Sequence, residues 1–292
     1  MILVCFEHFP WGMSLVPFEI TLILVSFIAS VIGSLIGLGG GIIITPVLVL
    51  CFGVDIRYAM GAALCSVIAT SSGAAAAYLR DGISNMRIGL FLCIATTIGA
   101  VCGALASAEL NQSVLSIIFG VALLLTAFLS LKKKKGGVVP TEESSPVAIK
   151  IRLPGEMPDG KTNVPYGVVR VLPGFIVMWV AGVLSGLLGI GSGAFKVLAM
   201  DQIMRIPFKV TTATSNFMIG VTAAASVGIY LQKGYFDPVL ATPVSLGSLA
   251  GAFLGAKLLT IAPVKVLRLI FLVAIFVIAI QMILKGAGVN IV

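Results

Sequence analysis

Two glycine clusters, Gly37-Leu38-Gly39-Gly40-Gly41 and Gly189-Ile190-Gly191-Ser192-Gly193, lie inside apolar stretches rather than between them. Consecutive glycines forfeit helix propensity and permit positive φ, so each cluster predicts a break in a helix. A helix that restarts inside a bilayer presents N–H groups without intrahelical acceptors, together with the positive end of its dipole. Such an end attracts an anion without any charged side chain. With restarts at about Gly41 and Gly193, Gly39, Gly40, Gly41, Gly191, Ser192 and Gly193 become candidate ligands through their amides, and Ser192 adds a hydroxyl. The competing reading is that these glycines serve only close helix packing.

Lys196 follows the second cluster by three residues and stands in an apolar run. A lysine at the centre of a span costs roughly 2.5 to 3.5 kcal/mol on insertion scales, so it must face a cavity, a partner or the interface. It is the candidate fixed positive charge for an anion; the alternative is snorkelling to the surface alongside Asp201. Thr214, Ser215 and Asn216 end a polar run that begins at Thr211. They are candidate substrate ligands, with Asn216 able either to bind substrate or to bridge helices, and all three able to bond to their own helix. In the first half Ser66, Thr70, Ser71 and Ser72 supply the hydroxyls instead.

Other chemistry is poorly provided for. The five cysteines show no CxxC spacing, which argues against a metal cage or a disulfide framework, and neither metal nor cofactor is expected. The spans hold no His or carboxylate cluster fit for acid/base work, so an enzyme is not expected. The GxxxxGK[ST] pattern is absent, and energy would come from an ion gradient, a partner or the substrate's own gradient; a coupling ion is therefore a candidate partner.

The elements that must position these residues come in two sets. Residues 31 to 131 lie over residues 183 to 283 at a constant offset of 152 without a gap. Gly37, Gly39 and Gly41 pair with Gly189, Gly191 and Gly193; Gly82 with Gly234; Gly99 and Gly103 with Gly251 and Gly255; Thr70 with Thr222; Tyr78 with Tyr230. Lys196, by contrast, stands opposite Ile44. Duplicated apolar chains of this kind are characteristic of secondary transporters, whose substrate site lies between the halves near the bilayer midplane. Gly99 with Gly103 and Gly251 with Gly255 have the spacing of helix-packing seams.

With 59% hydrophobic residues, 10% charged residues and a mean hydropathy of +1.16, the chain is an all-α polytopic membrane protein. Apolar stretches run over 20–54, 58–79, 88–108, 110–131, 171–195, 210–232, 238–256 and 269–284. The first is too long for one straight helix, since about 20 residues cross about 30 Å of hydrocarbon. The reading is of a first transmembrane repeat over 1–131, a polar linker over 132–170 with a possible short strand at Val147 to Leu153, and a second repeat over 171–292. The net charge of +8 is held mostly in loops and the linker, without aromatic interleaving. It reads as a membrane-orientation signal and not as a nucleic-acid surface.

The broken segments leave two topologies. If they span fully, each half has four spans and the repeats are parallel; if they are re-entrant, each half has three further spans and the repeats are inverted. Parallel repeats put twelve Lys and Arg residues on the linker side against six, and four against six once the linker is set aside. Inverted repeats put fifteen against three, and seven against three without the linker. The positive-inside rule favours inversion, a cytoplasmic linker and residence in the cell membrane.

On these residues the chain resembles the TauE/SafE family of anion exporters, associated with sulfite and small organosulfonates. The family's glycine-rich turn followed by proline is similar to Gly37–Gly41 with Pro46, and its later Thr-Ser motif is similar to Thr214-Ser215. The second turn departs from it with Leu198 where a proline would fall, and the first-half Thr-Ser position is Ala62-Ala63. The resemblance covers both halves but not the linker. It implies export of a small anion such as sulfite or an organosulfonate. The chain's partners are then that anion and the lipid bilayer, and the mechanism alternating access around the two breaks. An anion channel lined by the same amides is the alternative.

Overall fold

The computed structural model describes residues 15–36, 40–80, 83–131, 143–159, 162–258 and 264–288. Gly37, Leu38, Gly39 and Gly82 lie outside the described residues. The first half contains α1 (Leu15–Ile36), α2 (Gly41–Leu50), α3 (Ile56–Arg80), α4 (Met86–Glu109) and α5 (Gln112–Leu131). The second contains α7 (Val171–Leu188), α8 (Gly193–Leu198), a π-helical continuation (Ala199–Ile203), α9 (Phe208–Gln232), α10 (Pro238–Leu258) and α11 (Val264–Gly286). Among the described residues α4, α7, α9 and α10 are long and apolar enough to cross a membrane. Leu24, Ile28, Ile94, Ile98, Ile176 and Phe253 are more than half or close to half exposed, as side chains facing lipid must be.

Each of the two halves packs mainly on the other. Helices α1 and α10 run in the same direction, with Ile23, Phe27 and Val31 against Gly247, Gly251 and Gly255. Helices α4 and α7 do likewise: Gly99 meets Trp179 and Val183, Gly103 meets Val183 and Leu187, and Gly182 and Gly186 meet Thr96 and Ala100. A Cβ at any of these glycines would overlap the facing backbone, so they are packing seams, as the spacing of Gly99/Gly103 and Gly251/Gly255 predicts. Helix α3 is antiparallel to α9, with Met60 beside Tyr230 and Ser71 beside Gly220. Helix α5 is antiparallel to α11, with Ser113 beside Gly286 and Gly120 beside Ala279.

These directions give the molecule two ends. At the distal end Arg57 donates to Leu110 O at 2.7 Å and lies 5.1 Å over the Tyr235 ring, Lys233 pairs with Glu109 at 3.6 Å, and Lys285 donates to Val49 O at 2.6 Å. At the opposite, linker end lie the starts of α4, α7 and α9 and the segment between the halves. There Val169 N–H donates to Met204 O at 3.2 Å.

The linker contains a short helix, α6 (Pro146–Lys150), and an antiparallel hairpin of β1 (Gly155–Asp159) and β2 (Thr162–Tyr166), with Gly155 opposite Tyr166. The strand considered at Val147 to Leu153 is instead helical in its first part. Ser145 caps that helix by accepting from Ala148 N–H, and Pro146 occupies its first turn, where a missing N–H costs nothing.

Candidate functional site

Neither glycine cluster simply divides one crossing in two. Helix α1 runs from Phe18, which stacks edge-on with Phe52 at the distal end, to Ser34, which meets Gly255 near the end of α10. By Gly40 the chain has returned to the level of Ser30. From there α2 descends to the distal end. In the second half α7 starts at the linker end and stops at Gly189, beside Met60; α8 and its π-helical continuation then rise back to Met204. Ser192 Oγ donates to Ala181 O at 2.6 Å and braces this reversal. Gly189, Gly191 and Ser192 have φ of 66°, 71° and 44°, the left-handed region that glycine enters freely.

The two half-helices therefore come from opposite ends and begin at one depth. A Cβ on Gly41 would stand 2.5 Å from Val67 Cγ2 and 3.4 Å from Gly189 O, and one on Gly191 would stand 3.0 Å from Val67 Cγ1. Val67 lies at the middle of α3. Ile43 and Ile44 N–H both donate to Gly40 O, and Phe195 and Lys196 N–H to Ser192 O. The amides of Gly41, Ile42, Gly193 and Ala194 are the first-turn donors that no intrahelical carbonyl can reach. The Ser192 hydroxyl hydrogen is already committed to Ala181 O, which leaves that residue its backbone amide.

Lys196 does not snorkel. It is fully buried, and its Nζ donates to Thr222 Oγ1 at 2.9 Å and to Met218 O at 3.4 Å. Thr222 Oγ1 in turn lies 2.6 Å from Met218 O and 3.3 Å from Thr96 Oγ1. Thr96 and Thr222 stand near the middles of α4 and α9, so the Lys196 amine lies at mid-depth between three helices. The counterparts of Thr96 and Thr222 under the 152-residue offset are Ser248 and Thr70. There Ser66 Oγ bonds to Ser248 Oγ at 2.5 Å, and Ile44 takes the place of the lysine. The sequence marked Thr222 as a repeat match but gave no sign that Thr96 faces it, because that pairing joins residues 126 apart.

Thr214, Ser215 and Asn216 are buried but do not converge. Successive residues on a helix point about 100° apart. Thr214 Oγ1 accepts from Asn85 N–H at 3.1 Å, near the linker end, and Asn216 Nδ2 donates to Thr212 O of its own helix at 3.1 Å. Ser215 is the one on the face of Met218 and Thr222. Its buried hydroxyl has no hydrogen-bond partner, which is the condition of a group that awaits a ligand. Ser30 and Thr45, around the first break, also carry buried hydroxyls without partners.

A cavity of about 290 Å³ opens elsewhere, at the linker end, between the α3–α4 turn (Ser84, Asn85) with the start of α4 (Arg87) and the hairpin (Gly155, Glu156, Tyr166). The mid-depth cluster is the candidate site, with half-helix starts, a buried lysine one turn into the second of them, and hydroxyls. The cavity is peripheral to these groups. No cluster of His, Cys, Asp and Glu able to hold a metal occurs among the described residues.

Apolar helices, two half-helices meeting at mid-depth and a buried polar cluster beside them define a multi-pass membrane protein. The chain matches the model of the family described as "Sulfite exporter TauE/SafE" over residues 22–282, and it belongs to that family of membrane transporters. It is 28% identical over 275 residues to the "Probable membrane transporter protein YunE" of Bacillus subtilis (strain 168), covering 91% of this chain and 98% of that one. A second protein of that strain, "Probable membrane transporter protein YdhB", is 28% identical over 249 residues, with 85% and 93% covered. "Probable membrane transporter protein ORF9" of Sinorhizobium sp is 23% identical over 262 residues, with 89% and 90% covered. No solved structure matches the chain.

Proposed function

We propose that this protein carries a small oxyanion, of the sulfite or organosulfonate class, out of the cell by alternating access around the two glycine breaks. The observation that carries the reading is the meeting of Gly41 and Gly191 on Val67. Two half-helices from opposite faces aim their positive ends at one point, and Lys196, one turn into the second of them, adds a buried amine. Helix ends and a buried cation act strongly in a low-dielectric interior, where each would be screened in water. The site consists of the amides of Gly40, Gly41, Gly191, Ser192 and Gly193, with Lys196 and Ser215. Thr214 and Asn216 act from its margin.

The two halves are inverted repeats. The exchange of partners supports this: α1 packs on α10 as α4 packs on α7, and α3 meets α9, and α5 meets α11, each antiparallel. Two copies related by a two-fold axis can set equivalent helices antiparallel only if that axis lies across them, in the membrane plane. Arg57, Lys233 and Lys285 then share the distal face, and the linker with Arg205 and Lys209 faces the cytoplasm. The close approach of Gly41 to Gly189 O favours a carrier with closed breaks over an open pore.

The test is binding of sulfite, sulfate, thiosulfate and short sulfonates to purified protein, followed by flux in proteoliposomes. Saturable turnover with one preferred anion supports the carrier; single-channel currents would replace it with the pore.

A further inference from the structure

The linker does not hang free of the helices. Ala148, Leu153, Tyr166 and Val168 are almost completely buried, in one apolar cluster with Ala199, Met200, Met204 and Ile206 and with Ile88, Leu92 and Cys93 of α4. The module thus lies directly on the half-helix that carries Lys196. A single side chain ties the parts together. Asn85 Oδ1 caps α4 by accepting from Ile88 N–H at 3.1 Å, while its Nδ2 donates to Leu153 O at 3.1 Å and to Tyr166 Oη at 2.7 Å. Its backbone N–H donates to Thr214 Oγ1. Asn85 therefore joins the linker to α4 and α9, the two helices whose Thr96 and Thr222 face Lys196.

We propose that the linker module is a plug over the linker-end side of the buried Lys196 cluster and that Asn85 is its latch. Passage of an anion on that face requires Asn85 Nδ2 to release Tyr166 and Leu153. The 290 Å³ cavity between the hairpin and the α3–α4 turn bears on this directly. The hairpin is not packed continuously against the turn there; the apolar cluster seats the module, and across this gap it is the hydrogen bonds of Asn85 that join the two, bonds of modest net strength that can exchange during a transport cycle. The proposal rests on reading the Lys196 cluster as the substrate site, and its test separates the two.

Cys93, buried two turns into α4 and in the same cluster, is a built-in reporter. With Cys5, Cys51, Cys65 and Cys102 replaced by alanine, an impermeant maleimide is added to one face of oriented proteoliposomes. Asn85→Ser keeps an N-cap oxygen but lacks the carboxamide nitrogen; Tyr166→Phe removes one bond and leaves the cap intact. Labelling of Cys93 from the linker face should rise about tenfold in Asn85→Ser, as expected when two ordinary hydrogen bonds are lost. It should rise less in Tyr166→Phe, and not at all from the distal face. Unchanged labelling in both folded variants, or an equal rise from both faces, overturns the plug. Methanesulfonate should slow labelling in the opened variant. A rise without such protection upholds the plug and counts against the substrate assignment of Lys196.

Discussion

Lys196 Nζ and Thr222 Oγ1 stand 2.9 Å apart, in a chain where the lysine has an isoleucine as its repeat counterpart and the threonine has a threonine. The hydroxyls are thus common to both halves, while the charge belongs to one. Among the described residues no carboxylate pairs with Lys196; neutral oxygens of Thr222 and Met218 receive its hydrogens. A buried cation held only by neutral groups gains most from an incoming anion.

Lys196→Met keeps most of the side-chain length and removes the charge. Anion affinity should fall by at least about tenfold, or roughly 1.4 kcal/mol, in a binding titration on purified protein. Thermal stability should change little, because no protein carboxylate loses a partner. Unchanged affinity would remove Lys196 from the site.

Thr222→Val preserves shape and deletes the hydroxyl that links Lys196 to Thr96. The loss of about 1 kcal/mol of positioning should weaken anion binding roughly fivefold. Thr70→Val, at the repeat counterpart in α3, should have a smaller effect. Equal effects at both positions would point to helix packing.

Gly40→Val and Gly193→Val should abolish transport. At Gly40 even a Cβ would run into the Ser30 hydroxyl. Gly193 is the first residue of α8, at the first-turn amides assigned to the anion. If well-folded variants retain binding, the breaks serve packing alone.

Single cysteines at Lys150 and Arg205 should react with an impermeant thiol reagent from the cytoplasmic face, and one at Lys233 only from the outside. All three positions are exposed. Labelling of Arg205 and Lys233 positions from the same side would exclude inverted repeats.

Tyr230→Phe tests the scaffold. The buried phenol accepts from Ser107 Oγ at 2.9 Å and donates to Gly186 O at 3.1 Å, so it joins α4, α7 and α9. Its loss leaves a buried carbonyl short of a donor and should cost about 1 to 3 kcal/mol, visible as a lower unfolding temperature in detergent.

The sequence alone established the membrane class, the two helix breaks and the glycine seams, because each of these is local. Apolar run length sets a span, consecutive glycines interrupt a helix wherever they fall, and GxxxG spacing exposes backbone on one helix face. Which helix answers that face is not local. That Gly99 meets α7 while Gly251 meets α1, that the half-helices converge on Val67, and that Thr96 lies beside Thr222 all depend on contacts between distant segments. The polar run ending at Thr214, Ser215 and Asn216 looked like one cluster in the sequence. The 100° turn per residue sent Thr214 to the linker end, Asn216 to its own backbone and only Ser215 toward the face of Lys196.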